Sequence, residues 1–175
     1  MALHRCVIPA PAPIGALTLG VTEAGLALVA FGRRPEVAER AAARLGEPLA
    51  EGDGGTAAAE LAEYLAGRRR VFDVAVDWSL TGGSQRWVLQ TLHRTVPFGA
   101  TVTYGELAAR SGLGCGHHAA RGVGSIMGSN PLPLVVPCHR VLGAGDLGGF
   151  GGGRAVKEWL LALEGVITPA LDFGA

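Results

Sequence analysis

Glycine placement is the strongest constraint on what this chain can become. Twenty-eight of its 175 residues are glycine. They gather in links: Gly52 to Gly55, Gly82-Gly83, Gly112 to Gly116, and Gly143 to Gly153. Glycine costs about 0.5–1 kcal/mol relative to alanine inside a helix or strand, so these clusters break the chain into short elements. They recur at no fixed period, which excludes a repeat architecture. Between the links the chain is 49% hydrophobic and only 17% charged, a balance that buries a core and excludes disorder. Its length fits one domain or two small ones. No apolar run reaches the ~20 residues of a membrane span. The first residues carry no apolar stretch of signal-peptide length, and three cysteines cannot complete a disulfide framework. These features predict a cytoplasmic protein with reduced thiols and no membrane association.

The first thirty residues read as strands, with two apolar runs around Thr22-Glu23-Ala24-Gly25 as a hairpin. A helix is expected from Pro35 to Leu45, closed by Gly46, then a loop from Gly46 to Gly55, then a helix from Thr56 to Ala66. Val71, Phe72, Val74 and Val76 predict a further strand, and Leu80 to Gly83 a boundary. The second half reads as helical. Ser84 is placed to cap a helix that ends at Pro97-Phe98-Gly99. Thr103 and Glu106 form a capping-box pattern for a helix reaching about Ser111. Another helix is expected from about His118 to Gly128. Pro131 to Val136 reads as an extended strand leading into Pro137-Cys138-His139-Arg140. An amphipathic helix from Ala155 to Glu164 follows, buried through Val156, Trp159, Leu160 and Leu163.

Charge is uneven although the net is zero. Residues 84–140 hold five arginines (Arg86, Arg94, Arg110, Arg121, Arg140) against the single acid Glu106. This is compatible with a local basic face, or with scatter. The two helices around 103–111 and 118–128 are compatible with a helix-turn-helix, and equally with any helical hairpin. The second of them sets Arg121, Gly122, Gly124 and Ser125 away from its core side, a smooth face with one long basic side chain. Cys138 is either an inert core thiol or a nucleophile beside His139 and Arg140. Adjacent residues on an extended chain point apart, so a Cys138–His139 pair needs a turn or a bridging water. Glu164 sits in the last turn of its helix, against the macrodipole, where a carboxylate is either incidental or orients a histidine. Cys115, His117 and His118 are a poor zinc pattern, and no metal is expected.

The ordered set of motifs is more specific than any of these features alone. Val96-Pro97-Phe98-Gly99 with Tyr104-Gly105 and Leu107-Ala108, then Ala119-Ala120-Arg121 with Val123-Gly124, Asn130-Pro131, and Pro137-Cys138-His139-Arg140 stand in sequence. With the stretch from Ser129 to Gly165 they resemble the O6-alkylguanine-DNA alkyltransferases, over residues 84–165. Ile14-Gly15 and Gly25-Leu26 resemble that family's smaller domain less specifically.

The resemblance implies an α/β amino-terminal domain with a ribonuclease-H-like sheet over residues 1–80. It implies a mostly α-helical carboxy-terminal domain with a helix-turn-helix over residues 81–175. It implies a monomer that binds double-stranded DNA through the minor groove, flips out an O6-alkylguanine, and takes the alkyl group irreversibly on a cysteine, without cofactor. Cys138 matches the acceptor, His139 the base acting through water, Glu164 its orienting carboxylate, and Tyr104 the proton donor to the guanine. Arg121 matches the residue that fills the vacated stack, with Gly122, Ser125 and Thr103 beside it at the DNA. Asn130, Val136, Pro137, Phe150, Gly151 and Gly152 match the substrate pocket. Three departures stand out: a link about three residues longer between Tyr104 and Arg121, Phe150 where the family usually has tyrosine, and Gly151 without a side-chain hydroxyl. A lesion-binding relative lacking the acceptor is disfavoured because Cys138 is present. A cysteine hydrolase would leave Arg121 and Tyr104 unexplained.

Overall fold

The computed structural model describes residues 1–168; the last seven residues of the expected second domain, 169–175, lie outside the described residues. Strands β1 (Leu3–Pro9), β2 (Ala16–Thr22) and β3 (Gly25–Phe31) form an antiparallel meander, and β4 (Leu49–Glu51) adds parallel to β1. The sheet order is β3-β2-β1-β4. Helix α1 (Pro35–Leu45) starts with proline in its first turn and stops at Gly46, whose left-handed backbone donates to Ala42 and Ala43 carbonyls. Helix α2 (Gly55–Leu65) follows β4. The expected loop over 46–55 thus conceals a three-residue strand, too short to show in periodicity.

Residues 71–76 do not form the expected strand. One bridge, Leu26 to Val76, is all they contribute. The buried carboxylate of Glu60 on α2 takes two of their amides instead, accepting from Asp73 N at 2.7 Å and Val74 N at 3.1 Å. A side chain has substituted for a neighbouring strand. Arg86 then clasps the turn after them through the Trp78 carbonyl and the Thr81 hydroxyl, both at 3.0 Å.

The second half is built from α3 (Gly83–Thr95), α4 (Tyr104–Arg110), α5 (His117–Gly128) and α6 (Arg154–Leu163). Ser84 falls inside the first turn of α3 rather than capping it; Gln85 Oε1 accepts from the Gly82 amide at 3.3 Å. The capping box of α4 forms as expected: Thr103 Oγ1 accepts from Glu106 N at 3.1 Å, and Glu106 Oε2 accepts from Thr103 N at 3.4 Å. A two-residue parallel pair, β5 (Val102–Thr103) and β6 (Val141–Leu142), closes the region.

Pro131 to Val136 is a chain of tight turns, not the expected strand. Its residues from Leu132 onward are buried, so the apolar run reports burial correctly and periodicity wrongly. Three prolines at 131, 133 and 137 remove the donors a sheet ladder needs. Leu134 takes φ 75°, a left-handed conformation that β-sheet never uses.

One apolar core runs through both halves, joining Leu17, Leu19 and Leu26 of the sheet to Leu89, Leu92, Leu132 and Val136. A smaller cluster packs Ala38, Ala41 and Ala42 of α1 against Leu3, Leu28 and Leu80. Gly25 marks where sheet and crossing segment approach most closely. Its φ is 138°, and a Cβ there would lie 2.2 Å from the Ala75 carbonyl oxygen, a backbone atom with no room to retreat. Gly25→Ala is therefore expected to destabilise the protein by ~2–3 kcal/mol, read as a lower urea midpoint at unchanged slope.

Candidate active site

The turns after α5 deliver Cys138 by backbone clamping. Asn130 Oδ1 accepts from Leu132 N at 2.9 Å, and its Nδ2 donates to the Val136 carbonyl at 3.0 Å. This amide bridges the start and end of the Pro131–Val136 run. As expected, the run into Cys138 ends in a turn, here a single 3-10 turn over Cys138 to Arg140. The turn sends His139 and Arg140 inward and leaves Cys138 7% exposed. Burial pushes the Cys138 thiol up to about 11, against the Asn130 side chain and the positive Lys157, which lower it. The resting sulfur carries its proton, so any nucleophilic step begins with proton removal.

Behind the turn lies Glu164, at the carboxyl end of α6 and with a fully buried carboxylate. Its Oε2 accepts from His139 Nε2 at 2.7 Å, from Arg140 Nη2 at 2.9 Å, and from the Tyr64 hydroxyl at 2.5 Å. Its Oε1 accepts from Arg140 Nε at 2.7 Å and from the Gly99 amide at 3.3 Å. Arg140 also donates to the Val96 carbonyl at 2.8 Å. Burial alone would raise the Glu164 pKa; the bonds from His139 and Arg140 outweigh it and hold the carboxyl well below the usual carboxylate range. The His139 pKa is lowered too, which for a base favours the neutral ring: burial is the main cause, Arg140 and Lys157 add to it, and Glu164 only partly opposes. With its Nε2–H committed to Glu164, the remaining ring nitrogen is an acceptor. Nδ1 is buried and has no hydrogen-bond partner among the described residues.

Two cavities meet at Cys138. One, of about 540 Å³, is lined by Tyr104, Arg121, Gly124, Cys138, Phe150 and Gly151. The other, of about 580 Å³, includes Arg34, Asn130, Cys138, Phe150, Gly151 and Gly152. Tyr104 is seated by donating to the Gly149 carbonyl at 3.3 Å, with Gly148 packed on its ring. Phe150 meets Phe31 edge-on at 5.5 Å between centroids, so the wall is shared by both halves of the chain. Gly122 and Ser125 are exposed on α5 and line neither cavity, and Thr103 is spent on capping α4. Val136 and Pro137 also line neither, because the turns fold Val136 into the core and face Pro137 to a separate cavity with Arg70 and Phe98.

Two site residues have no local sequence signal. Tyr64 lies 100 residues from the glutamate it touches, in a helix that reads only as amphipathic. Lys157 reads as a surface residue, yet it is fully buried and donates to the carbonyls of Val141 (2.7 Å) and Gly149 (3.1 Å). Burial lowers its pKa. Among the described residues, no group of His, Cys, Asp and Glu is placed to hold a metal.

The sequence and the fold are similar to those of known proteins. The family model described as 6-O-methylguanine DNA methyltransferase, DNA binding domain, matches residues 84–166. A methylated-DNA–protein-cysteine methyltransferase of Mycolicibacterium paratuberculosis is 47% identical over 113 residues, 63% of this chain and 65% of that protein. The matched segment thus spans just under two thirds of that relative's length. The crystal structure of Mycobacterium tuberculosis OGT in complex with DNA superposes with a TM-score of 0.76 at 37% identity, covering 93% of this chain and 92% of that one. The O6-methylguanine-DNA methyltransferase of Pyrococcus kodakaraensis superposes at 0.68 with 25% identity, covering 94% and 99%. The chain belongs to the O6-methylguanine-DNA methyltransferase family.

Buried His139 sets an acid limit on stability. Burial lowers its pKa. Once unfolded, it titrates near 6.5 and below that takes up a proton that the folded protein refuses. The unfolded state then binds more protons, so stability falls as pH drops below about 6.5, by up to ~1.4 kcal/mol per pH unit. Glu164, held low, adds its own loss only in stronger acid, below about pH 4. Urea midpoints at pH 7.5 and 5.5 are expected to differ accordingly, and His139→Asn to show the smaller difference.

Proposed function

We propose that this protein repairs DNA by transferring an alkyl group from O6-alkylguanine to Cys138. The observation that carries this reading is the placement of Cys138, where the cavity under Arg121 meets the buried His139–Glu164 pair. The Cys138 proton passes through water to His139 Nδ1. The sulfur attacks the alkyl carbon as the carbon–O6 bond breaks, and that bond's electron pair goes to the guanine. Tyr104 supplies a proton so that the base need not leave as an anion. The products are a thioether and an unmodified guanine. The step balances without a cofactor. Nothing regenerates the thiol, so each molecule acts once.

A base within the stack hides its O6 atom, so the nucleotide must be extruded. In this reading α4 and α5 act as a helix-turn-helix, and the small residues Gly122, Gly124 and Ser125 let α5 approach the minor groove closely. Arg121 fills the vacated stack. Thr103 sits at the DNA beside α4. Asn130, Val136 and Pro137 shape the turn, while Phe150, Gly151 and Gly152 wall the base, with backbone amides toward O6. The division at residue 80 separates a ribonuclease-H-like domain, a reading supported by three antiparallel strands joined by a parallel fourth, from the helical one. We assign a monomer acting in the cytoplasm.

After incubation with an O6-methylguanine duplex, mass spectrometry is expected to show one added methyl per chain, on Cys138. Cys138→Ser abolishes the transfer while duplex binding persists; a methyl found on Cys115 instead would refute the assignment. Arg121→Ala is expected to slow repair of a paired duplex far more than transfer from free O6-benzylguanine, which needs no unstacking. Phe150→Tyr restores one hydroxyl, worth ~0.5–1.5 kcal/mol, and is expected to accelerate transfer by roughly two- to twelvefold, measured by single-turnover kinetics.

A further inference from the structure

The buried network contains one member that the transfer chemistry leaves without a role. Tyr64 belongs to α2, in the amino-terminal half, and is fully buried. Its ring is fixed by Phe72 and Phe98, at 5.2 and 6.3 Å between centroids. Its hydroxyl donates to Glu164 Oε2 at 2.5 Å, and the same oxygen atom accepts from His139 Nε2. The hydroxyl oxygen stands 3.4 Å from that nitrogen. We propose that Tyr64 is a positioning residue for alkyl transfer, sharing the Glu164 oxygen with His139 and thereby keeping the imidazole a neutral proton acceptor. This rests on the alkyl-transfer reading for its consequence, though the contact itself does not.

The argument turns on competition for one oxygen. A carboxylate with a single histidine partner stabilises the imidazolium strongly. Each further donor on that oxygen spreads its negative charge and weakens this pull. The groups facing the imidazole are Glu164 and Lys157 from α6, Arg140 from its own turn, and Tyr64 from α2. Arg140 and Lys157 are positive and act against protonation. The Tyr64 hydroxyl acts the same way without carrying charge. A tyrosine raised well above its ordinary range by burial and by Glu164 stays a donor at every working pH. Remove the hydroxyl, and the carboxylate turns more of its charge on His139. The ring then protonates more readily and ceases to accept the thiol proton in mild acid.

The test pairs two readouts on the full chain. Nitrogen-15 NMR of the histidine side chains follows His139 against pH without any reaction. In Tyr64→Phe its titration is expected to move upward by about 0.5 to 1 in pH. Single-turnover methyl transfer from an O6-methylguanine duplex is followed from pH 5.5 to 8.5. In the variant the acid limb moves up with it, so transfer at pH 5.5 falls by up to about tenfold relative to the wild type while the rate at pH 8.5 stays within about twofold. Tyr64→Leu, which also removes the ring, separates packing from hydrogen bonding: it lowers the urea midpoint, whereas Tyr64→Phe largely keeps it. An unmoved His139 titration in Tyr64→Phe overturns the proposal, as does slowing by the same factor at every pH. A wild-type protein that transfers no methyl overturns the repair reading alone, since the NMR titration still decides the role of Tyr64.

Discussion

Everything around the reactive turn depends on one buried carboxylate. Glu164 collects donors from Tyr64 on α2, Gly99 after α3, and both His139 and Arg140 of the 3-10 turn. Three stretches of chain, far apart in sequence, converge on two oxygen atoms of a fourth. A charge so far from water is tolerable only because the guanidinium of Arg140 neutralises it and every lone pair direction is used. The same density of donors makes the carboxylate a poor base. It can orient His139 and stabilise its charge, yet it does not itself take the proton.

The chemistry of the site was more legible than its scaffold. Cys138, His139 and Arg140 are adjacent, and the motifs around them are local, so they can be read in order along the chain. Helices α1, α2, α4 and α6 were legible through caps, glycine stops and apolar stripes. The segment 71–76 was not, because its β-like composition is satisfied by Glu60 rather than by a strand. Pro131 to Val136 misled for a related reason. An apolar run states that a segment is buried, and only its donors state how. Tyr64 and Lys157 were invisible because their roles exist only in tertiary contact: nothing within ten residues of Tyr64 indicates a carboxylate 100 positions away.

The two halves share more than a covalent link. Phe31 of the sheet completes the aromatic wall with Phe150, and Tyr64 completes the polar network. The continuous core beneath them leaves no plane along which the halves separate cleanly. The amino-terminal half is therefore part of the site's geometry, although none of the four residues matched to the chemical step comes from it.

The 7% exposure of Cys138 has a further consequence, in the idle protein. Oxidation by peroxide proceeds through the ionised sulfur, and this one rests protonated and largely covered. Cys115, exposed in the link before α5, is the sulfur that a diffusing oxidant meets first. Under the proposed reaction the thiol serves once, and its protonated resting form slows the ageing that would spoil it beforehand.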